Sequence, residues 1–206
     1  MITVDNLQIY LPQYLSELDQ QKLIEHLKQF TDNPLNPPYY GFVDESYKES
    51  LLQGDALSKN IFDFYDDGGK KKNAPGMILS NTCDITLENT RPAPLNMVYA
   101  PIFDLGKYEK LLEIKKDRNF AGSVTDRIRK QHYTSYFYLP ANSGLGYEGF
   151  VHFDKVTNSK NNETFYTSCL KSRIFSLSQF GHYLLLFKLS IHFTRLQEGI
   201  TRYDRV

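Results

Sequence analysis

The chain has 206 residues, with 24 Lys and Arg balancing 24 Asp and Glu. Zero net charge excludes the overall basic excess of a non-specific nucleic-acid binder but leaves room for a local basic groove. Two cysteines, Cys83 and Cys169, exclude a disulfide framework, and no His/Cys spacing matches a zinc site.

A chain of this length buries enough surface for one domain, or one domain with an appended subdomain. It opens on no signal pattern and carries no apolar run of spanning length, so a reducing cytoplasm is the expected compartment and no membrane is expected. Tyr (15) and Phe (14) are abundant and Trp is absent. These rings favour strands and a packed core; a stacking surface for bases is the sharper alternative.

Met1 to Tyr10 alternates weakly and reads as a short strand. From Pro12 onward, Tyr14, Leu15, Leu18, Leu23, Ile24, Leu27 and Phe30 recur at helical spacing. Asn33-Pro34 and Pro37-Pro38 stop that helix. Residues 1–38 are therefore expected to form a helical arm, and residues 39–206 the main domain. Gly54-Asp55 opens a strand through Ala56 and Leu57, continuing toward Ile61–Tyr65. Asp66 to Asn73 is a loop by composition, either a solvated hairpin tip or a flap over an anionic ligand. Met77–Ser80 and Met97–Ile102 read as strands, separated by turn chemistry at Asn89–Pro94.

Asp104 to Lys116 reads as a helix with Asp104 as its N-cap, and Ser123 to His132 as a second, giving a helical insertion from Asp104 to His132. Strands are expected again at Ser135–Leu139, Gly149–Asp154 and Glu163–Thr167. An apolar helix closes the chain from Ser178 to Glu198, started by Ser176 or Ser178. The layout lacks regular β-α-β alternation, so the expected class is α+β around a small, mostly antiparallel barrel.

The strand ending in Ser80-Asn81-Thr82-Cys83-Asp84 gathers hydrogen-bonding groups and one thiol at one sheet edge. Cys83 as a nucleophile requires a base, with His132, His152 and His182 as candidates, and Asp84 offers a carboxylate beside it. The plainer alternative makes Cys83 a small buried hydrophobe and Asp84 a turn cap. Arg127, Arg129, Lys130 and His132 cluster next to Tyr133, Tyr136 and Phe137, the ingredients for holding an RNA strand or nucleotide, or an ordinary solvated helix face. Ser80, Asn81, Arg127, Arg129, Lys130 and Tyr136 are the candidate ligand-binding residues; Cys83, Asp84 and His132 are the candidate catalytic ones. His152 and Asp154 alternate along a strand and would point the same way.

Three ordered stretches carry a resemblance: Gly54-Asp55-Ala56-Leu57, then Ala74-Pro75-Gly76-Met77-Ile78-Leu79-Ser80-Asn81, then Val98-Tyr99-Ala100-Pro101-Ile102-Phe103. Tyr136–Leu139, Val151–Val156 and Arg173-Ile174 follow in matching order. The set resembles the PemK/MazF-like barrel of toxin–antitoxin systems over Gln53 to Leu196. The resemblance implies an SH3-like barrel, a dimer as its common state, and metal-independent cleavage of RNA. It also implies an arginine where this chain has Ala74 and a threonine or serine where it has Phe103. An arginine can stabilise developing phosphorane charge and a hydroxyl can position the reacting group; alanine and phenylalanine can do neither. The resemblance therefore favours a binding or sensing module that holds a partner protein, without cofactor or metal. The alternative is a ribonuclease or nucleotide-processing enzyme with a rearranged site.

Overall fold

The computed structural model describes residues 39–41, 47–66, 68–89, 95–142 and 144–194, together with Gln21. The expected N-terminal arm and nearly all of the Asn89–Pro94 turn lie outside these residues. The described chain is α+β, with mostly antiparallel sheets and five α-helices among the described residues. Its strands are β1 (Tyr40–Gly41), β2 (Ala56–Leu57), β3 (Phe64–Tyr65), β4 (Lys71–Lys72), β5 (Gly76–Ile78), β6 (Asn96–Asp104), β7 (Tyr136–Leu139), β8 (Gly149–His152), β9 (Thr157–Lys160) and β10 (Arg173–Leu177). Its helices are α1 (Thr82–Ile85), α2 (Leu105–Lys115), α3 (Arg118–Arg129), α4 (Glu163–Lys171) and α5 (Gln179–Thr194).

Successive strand residues point to opposite faces. Here both faces are buried. Ala56, Met77, Ala100, Ile102, Phe137, Leu139 and Val151 pack with Phe180, Leu184 and Leu185 of α5. Their neighbours Leu57, Ile78, Met97 and Tyr99 pack with Phe62, Phe64 and the α4 residues Tyr166 and Cys169. Tyr138 and Phe150 turn from the α5 face toward Leu105 and Ile128 of α2 and α3. This double burial explains apolar runs such as Met77-Ile78-Leu79, where a one-sided sheet would alternate with polar residues.

The main sheet runs β1-β10-β2-β5-β6-β8-β7, with β9 added alongside β6 and β3–β4 forming a separate hairpin. β6 pairs with β5 on one edge, Tyr99 to Pro101 facing Ile78 to Gly76. Its other edge is shared. Asn96–Tyr99 pair with β9, and Ile102–Asp104 pair with β8. The change of partner spans Ala100-Pro101, where proline offers no N–H to a ladder. β8 and β9 are joined by a 3-10 turn at Phe153–Lys155, so together they act as one kinked strand along β6.

Several expectations are corrected. The described strands form no closed barrel: no ladder joins the terminal strands β1 and β7. Side chains span that gap instead, with the Tyr40 hydroxyl donating to the Pro140 carbonyl. Glu163–Thr167 is helix, not strand. Asn162 caps α4 by accepting from the Phe165 N–H at 2.9 Å, and the three-residue spacing of Tyr166 and Cys169 sets its buried face. The β2 strand stops at Leu57, and Asn60 adopts a left-handed φ of 81° before the hairpin. The second inserted helix begins earlier than expected, capped by Asp117, which accepts from Phe120 N–H at 2.8 Å. It ends before Gln131, whose φ is 57°. The polar strand β9 and the strand β10 were not anticipated as strands. Asp154 falls in the 3-10 turn rather than on a strand with His152. The Asp104 cap is as expected, accepting from Lys107 N–H at 2.9 Å, but Lys71–Lys72, expected in a loop, form β4 and pair with Phe64–Tyr65.

A buried ion pair ties β2 to β10. Asp55 is fully buried and accepts from Ser176 Oγ at 2.6 Å, Leu52 N–H at 2.9 Å and Arg173 Nη1 at 3.2 Å. Burial raises the Asp55 pKa, and the three donors oppose that rise. Arg173 also donates to the carbonyls of Ser50 and Lys48 at 2.7 and 2.8 Å. The adjoining Gly54 has φ +91°, and a Cβ there would meet Leu177 Cδ1 at 2.8 Å. Asp55→Ala removes the counter-ion of the partly buried Arg173 and leaves two further donors without their acceptor, so it is expected to cost about 3 kcal/mol in urea unfolding.

Candidate functional site

A cleft of about 760 Å³ lies beside the change of partner along β6. The β3–β4 hairpin supplies one wall through Phe64, Tyr65 and Lys72. The 3-10 turn and the start of β9 supply the opposite wall through Asp154, Val156 and Thr157. Between them lie Ala74 and Pro75, then Pro101, Ile102 and Phe103, with Tyr147 and Lys107 at one end. The floor is apolar because β6 presents Pro101–Phe103 there, where it exchanges one partner strand for the other.

Charges lie on the rim and pair with one another. Lys72 approaches Asp66 at 3.4 Å, Lys107 approaches Asp104 at 3.4 Å, and the His192 ring approaches Asp154 at 3.4 Å. Burial first, then nearby Asp104, raises the Tyr147 pKa and keeps its phenol protonated at neutral pH. No Cys, Ser, His or Arg is among the described residues lining this cleft. The lining thus offers apolar area and hydrogen-bonding groups.

The sequence-derived candidates sit elsewhere, in two groups. Ser80, Asn81, Cys83 and Asp84 lie at the end of β5. Ser80 Oγ accepts from the Val98 N–H at 2.7 Å, and Asn81 Oδ1 accepts from the Cys83 N–H at 2.9 Å to cap α1. The Asp84 N–H donates to the Asn81 carbonyl at 2.9 Å. Cys83 is exposed, which corrects the reading of it as a small buried hydrophobe. Beside this group is a polar cavity of about 180 Å³ lined by Gln53, Asp55, Thr82 and His182. The His182 Nε2 lies 3.2 Å from Gln53 Oε1, and burial lowers its pKa.

Arg127, Arg129, Lys130, His132 and Tyr136 form the second group, around the end of α3. His132 is exposed and shares no hydrogen bond with Cys83 among the described residues. Arg129 is committed to the fold. Its Nε and Nη2 donate to the Glu148 carboxylate at 3.1 and 3.0 Å, and its Nη1 to Asp126 at 3.1 Å. The guanidinium holds Glu148 below the ordinary carboxylate range, and the Tyr138 hydroxyl also donates to Glu148. Arg127 lies over the Tyr133 ring at 4.6 Å. Tyr136 is half-buried with ring centroids 5.5 Å from Tyr133 and 4.7 Å from His152, and burial raises its pKa. Cations at the last turn of α3 also complement the negative end of the helix dipole.

Lys72 falls in the stretch expected as a hairpin tip or flap, whereas nothing in the sequence points to the cleft walls at Tyr65, Tyr147 and Val156, because the hairpin and the 3-10 turn that align them are tertiary arrangements. The sequence did single out two floor positions, Ala74 and Phe103. Among the described residues no three His, Cys, Asp or Glu side chains converge as a metal site, and no helix is long and apolar enough to cross a membrane. No protein-family model matches the chain, and no curated protein is significantly similar to it.

Arg129→Ala leaves the partly exposed Glu148 without its bidentate partner, and a loss of about 1–2 kcal/mol is expected in chemical denaturation. Because the folded Glu148 pKa is depressed, its contribution is present above the ordinary carboxylate range and is lost as pH falls through the folded value. The variant should therefore show a shallower acid loss of stability than the parent. Cys83→Ala should fall within about 0.5 kcal/mol of the parent.

Proposed function

We propose that this protein is a divergent PemK/MazF-like scaffold working as a binding module, which holds a segment of a partner protein in the cleft beside β6. One observation carries the reading. Ala74 and Phe103, the two positions that depart from the nuclease pattern, both line that cleft. Where a ribonuclease of that kind would place a guanidinium and a hydroxyl against a phosphate, this chain offers a methyl group and an aromatic ring.

The rim supports the same reading. Lys72 and Lys107 each face a rim acid, which leaves little net field to draw a polyanion. An apolar or aromatic anchor on an extended peptide suits an apolar floor with a charge-balanced rim. Full burial of one large side chain contributes about 1.5–3 kcal/mol, and such anchors dominate binding at small interfaces. By the same resemblance, the partner belongs to a toxin–antitoxin or phage-defence system.

Selection of a displayed random-peptide library against the full chain tests this. Enriched peptides should share an aromatic or branched aliphatic residue and bind with one-to-one stoichiometry by calorimetry. Ala74→Arg, which puts a cation into the floor, should weaken binding about tenfold or more. Single-stranded and structured RNA should stay intact in EDTA. Failure to enrich any peptide, or RNA cleavage by the parent that a cleft variant abolishes, overturns the proposal.

A further inference from the structure

The last helix carries a lysine where its pattern calls for an apolar residue. Phe180, Leu184 and Leu185 of α5 enter the core, and Lys188 follows on the same face, four residues after Leu184 and three after Leu185. Lys188 is only 5% exposed. No carboxylate among the described residues forms an ion pair with it. Its Nζ donates instead to two main-chain carbonyls, Gln131 at 2.9 Å and Tyr133. Both belong to the connection between α3 and β7.

That connection reverses direction through a left-handed residue, Gln131. The Gln131 side chain is also committed, accepting from Tyr138 N–H at 3.2 Å and donating to the Tyr138 carbonyl at 3.1 Å. The turn is thus held from one side by an amide side chain and from the other by an amine on a different helix. Removing the amine leaves two carbonyls without that donor, so the contact joins two elements far apart in the chain.

We propose that Lys188 is a proton-linked latch, which closes on the Gln131 and Tyr133 carbonyls to fix the turn of residues 130–134 to the last helix and which tightens when the amine loses its proton. The neutral amine still has two N–H groups, one for each carbonyl. The ammonium makes the same bonds but must be held out of water with no counter-ion among the described residues. Burial accordingly lowers the Lys188 pKa to about 7. When the latch opens, the amine meets water and returns toward the ordinary lysine value.

The sign follows from proton counting. The closed form has the lower pKa, so between about 7 and the ordinary lysine value the open form binds one more proton. Opening therefore becomes rarer as pH rises through that window, by up to about tenfold per pH unit, and is independent of this group below it. Other titratable and charged groups also face the latch. The turn brings Tyr133 and the exposed His132, α3 brings Arg127 over the Tyr133 ring, and β7 brings Tyr136 and Tyr138. One turn along α5, His192 faces Asp154. Effects that do not run through the Lys188 amine persist when it is replaced.

Hydrogen exchange of the full chain between pH 6 and 9, corrected for the intrinsic pH dependence of exchange, tests the latch. Protection of the Gln131, His132 and Tyr138 amides should climb by up to about tenfold per pH unit above neutrality, while amides of β5 stay flat. Lys188→Met should remove the climb. If that variant does not fold, Lys188→Arg, which keeps its charge throughout, should show the flat profile. An equal climb in either variant, or a flat profile in the parent, overturns the proposal. Carbon-13 NMR of the lysine Cε groups provides a second reading: one lysine should titrate near neutrality and vanish in the variant, and a set titrating only at ordinary lysine values also overturns it.

Discussion

The change of partner along β6 organises this structure. One edge of a nine-residue strand serves β9 through Tyr99 and β8 from Ile102. The break falls where Pro101 has no donor to give. Everything on that edge follows: the 3-10 turn at Phe153–Lys155 that joins the two partners, and the open wall above Ile102 and Phe103. Without that break, β8 and β9 would lie as one continuous strand and the cleft would lose one side. Gly76 permits the other side to close in. A Cβ there would stand 2.3 Å from the Phe62 ring, which stacks on Tyr99 with centroids 3.7 Å apart.

The polar groups divide between structure and surface. Asp55 with Arg173, Glu148 with Arg129, and Lys188 with two carbonyls all hold elements that are distant in sequence. Such groups are costly to bury alone and useful for specifying which elements meet. The cleft has little of this character. Its acids and lysines neutralise each other at the rim, while its floor is made of side chains with no proton to transfer. The contrast is chemical as well as spatial, and it separates groups that hold the fold from the lining of the cleft.

Much of the local structure was legible in the sequence, and particular residues show why. Asp104 caps α2 because its short carboxylate reaches a backbone N–H three residues on, a relation contained within one turn of chain. Asn162 does the same for α4, although the β-branched and aromatic side chains of Thr164, Phe165, Tyr166 and Thr167 favour a strand. The cap outweighed propensity once Tyr166 and Cys169 could share a buried face. β9 was invisible for the opposite reason. Thr157, Asn158, Ser159 and Lys160 carry no apolar signal, and the strand exists because the first half of β6 has an edge to offer it.

The sequence by itself determined the helix caps, the apolar strands and the zero net charge. These are properties of residue type and short spacing, and local hydrogen bonds or periodic burial enforce them. Only the tertiary structure decided that the described strands form no closed barrel, that Cys83 and His132 are not hydrogen-bonded to each other, and that Ala74 and Phe103 line one cleft. Those outcomes depend on which strand edges meet and which helices cover them. Long-range pairing is settled by the packing of the whole chain, so no short stretch of sequence contains it.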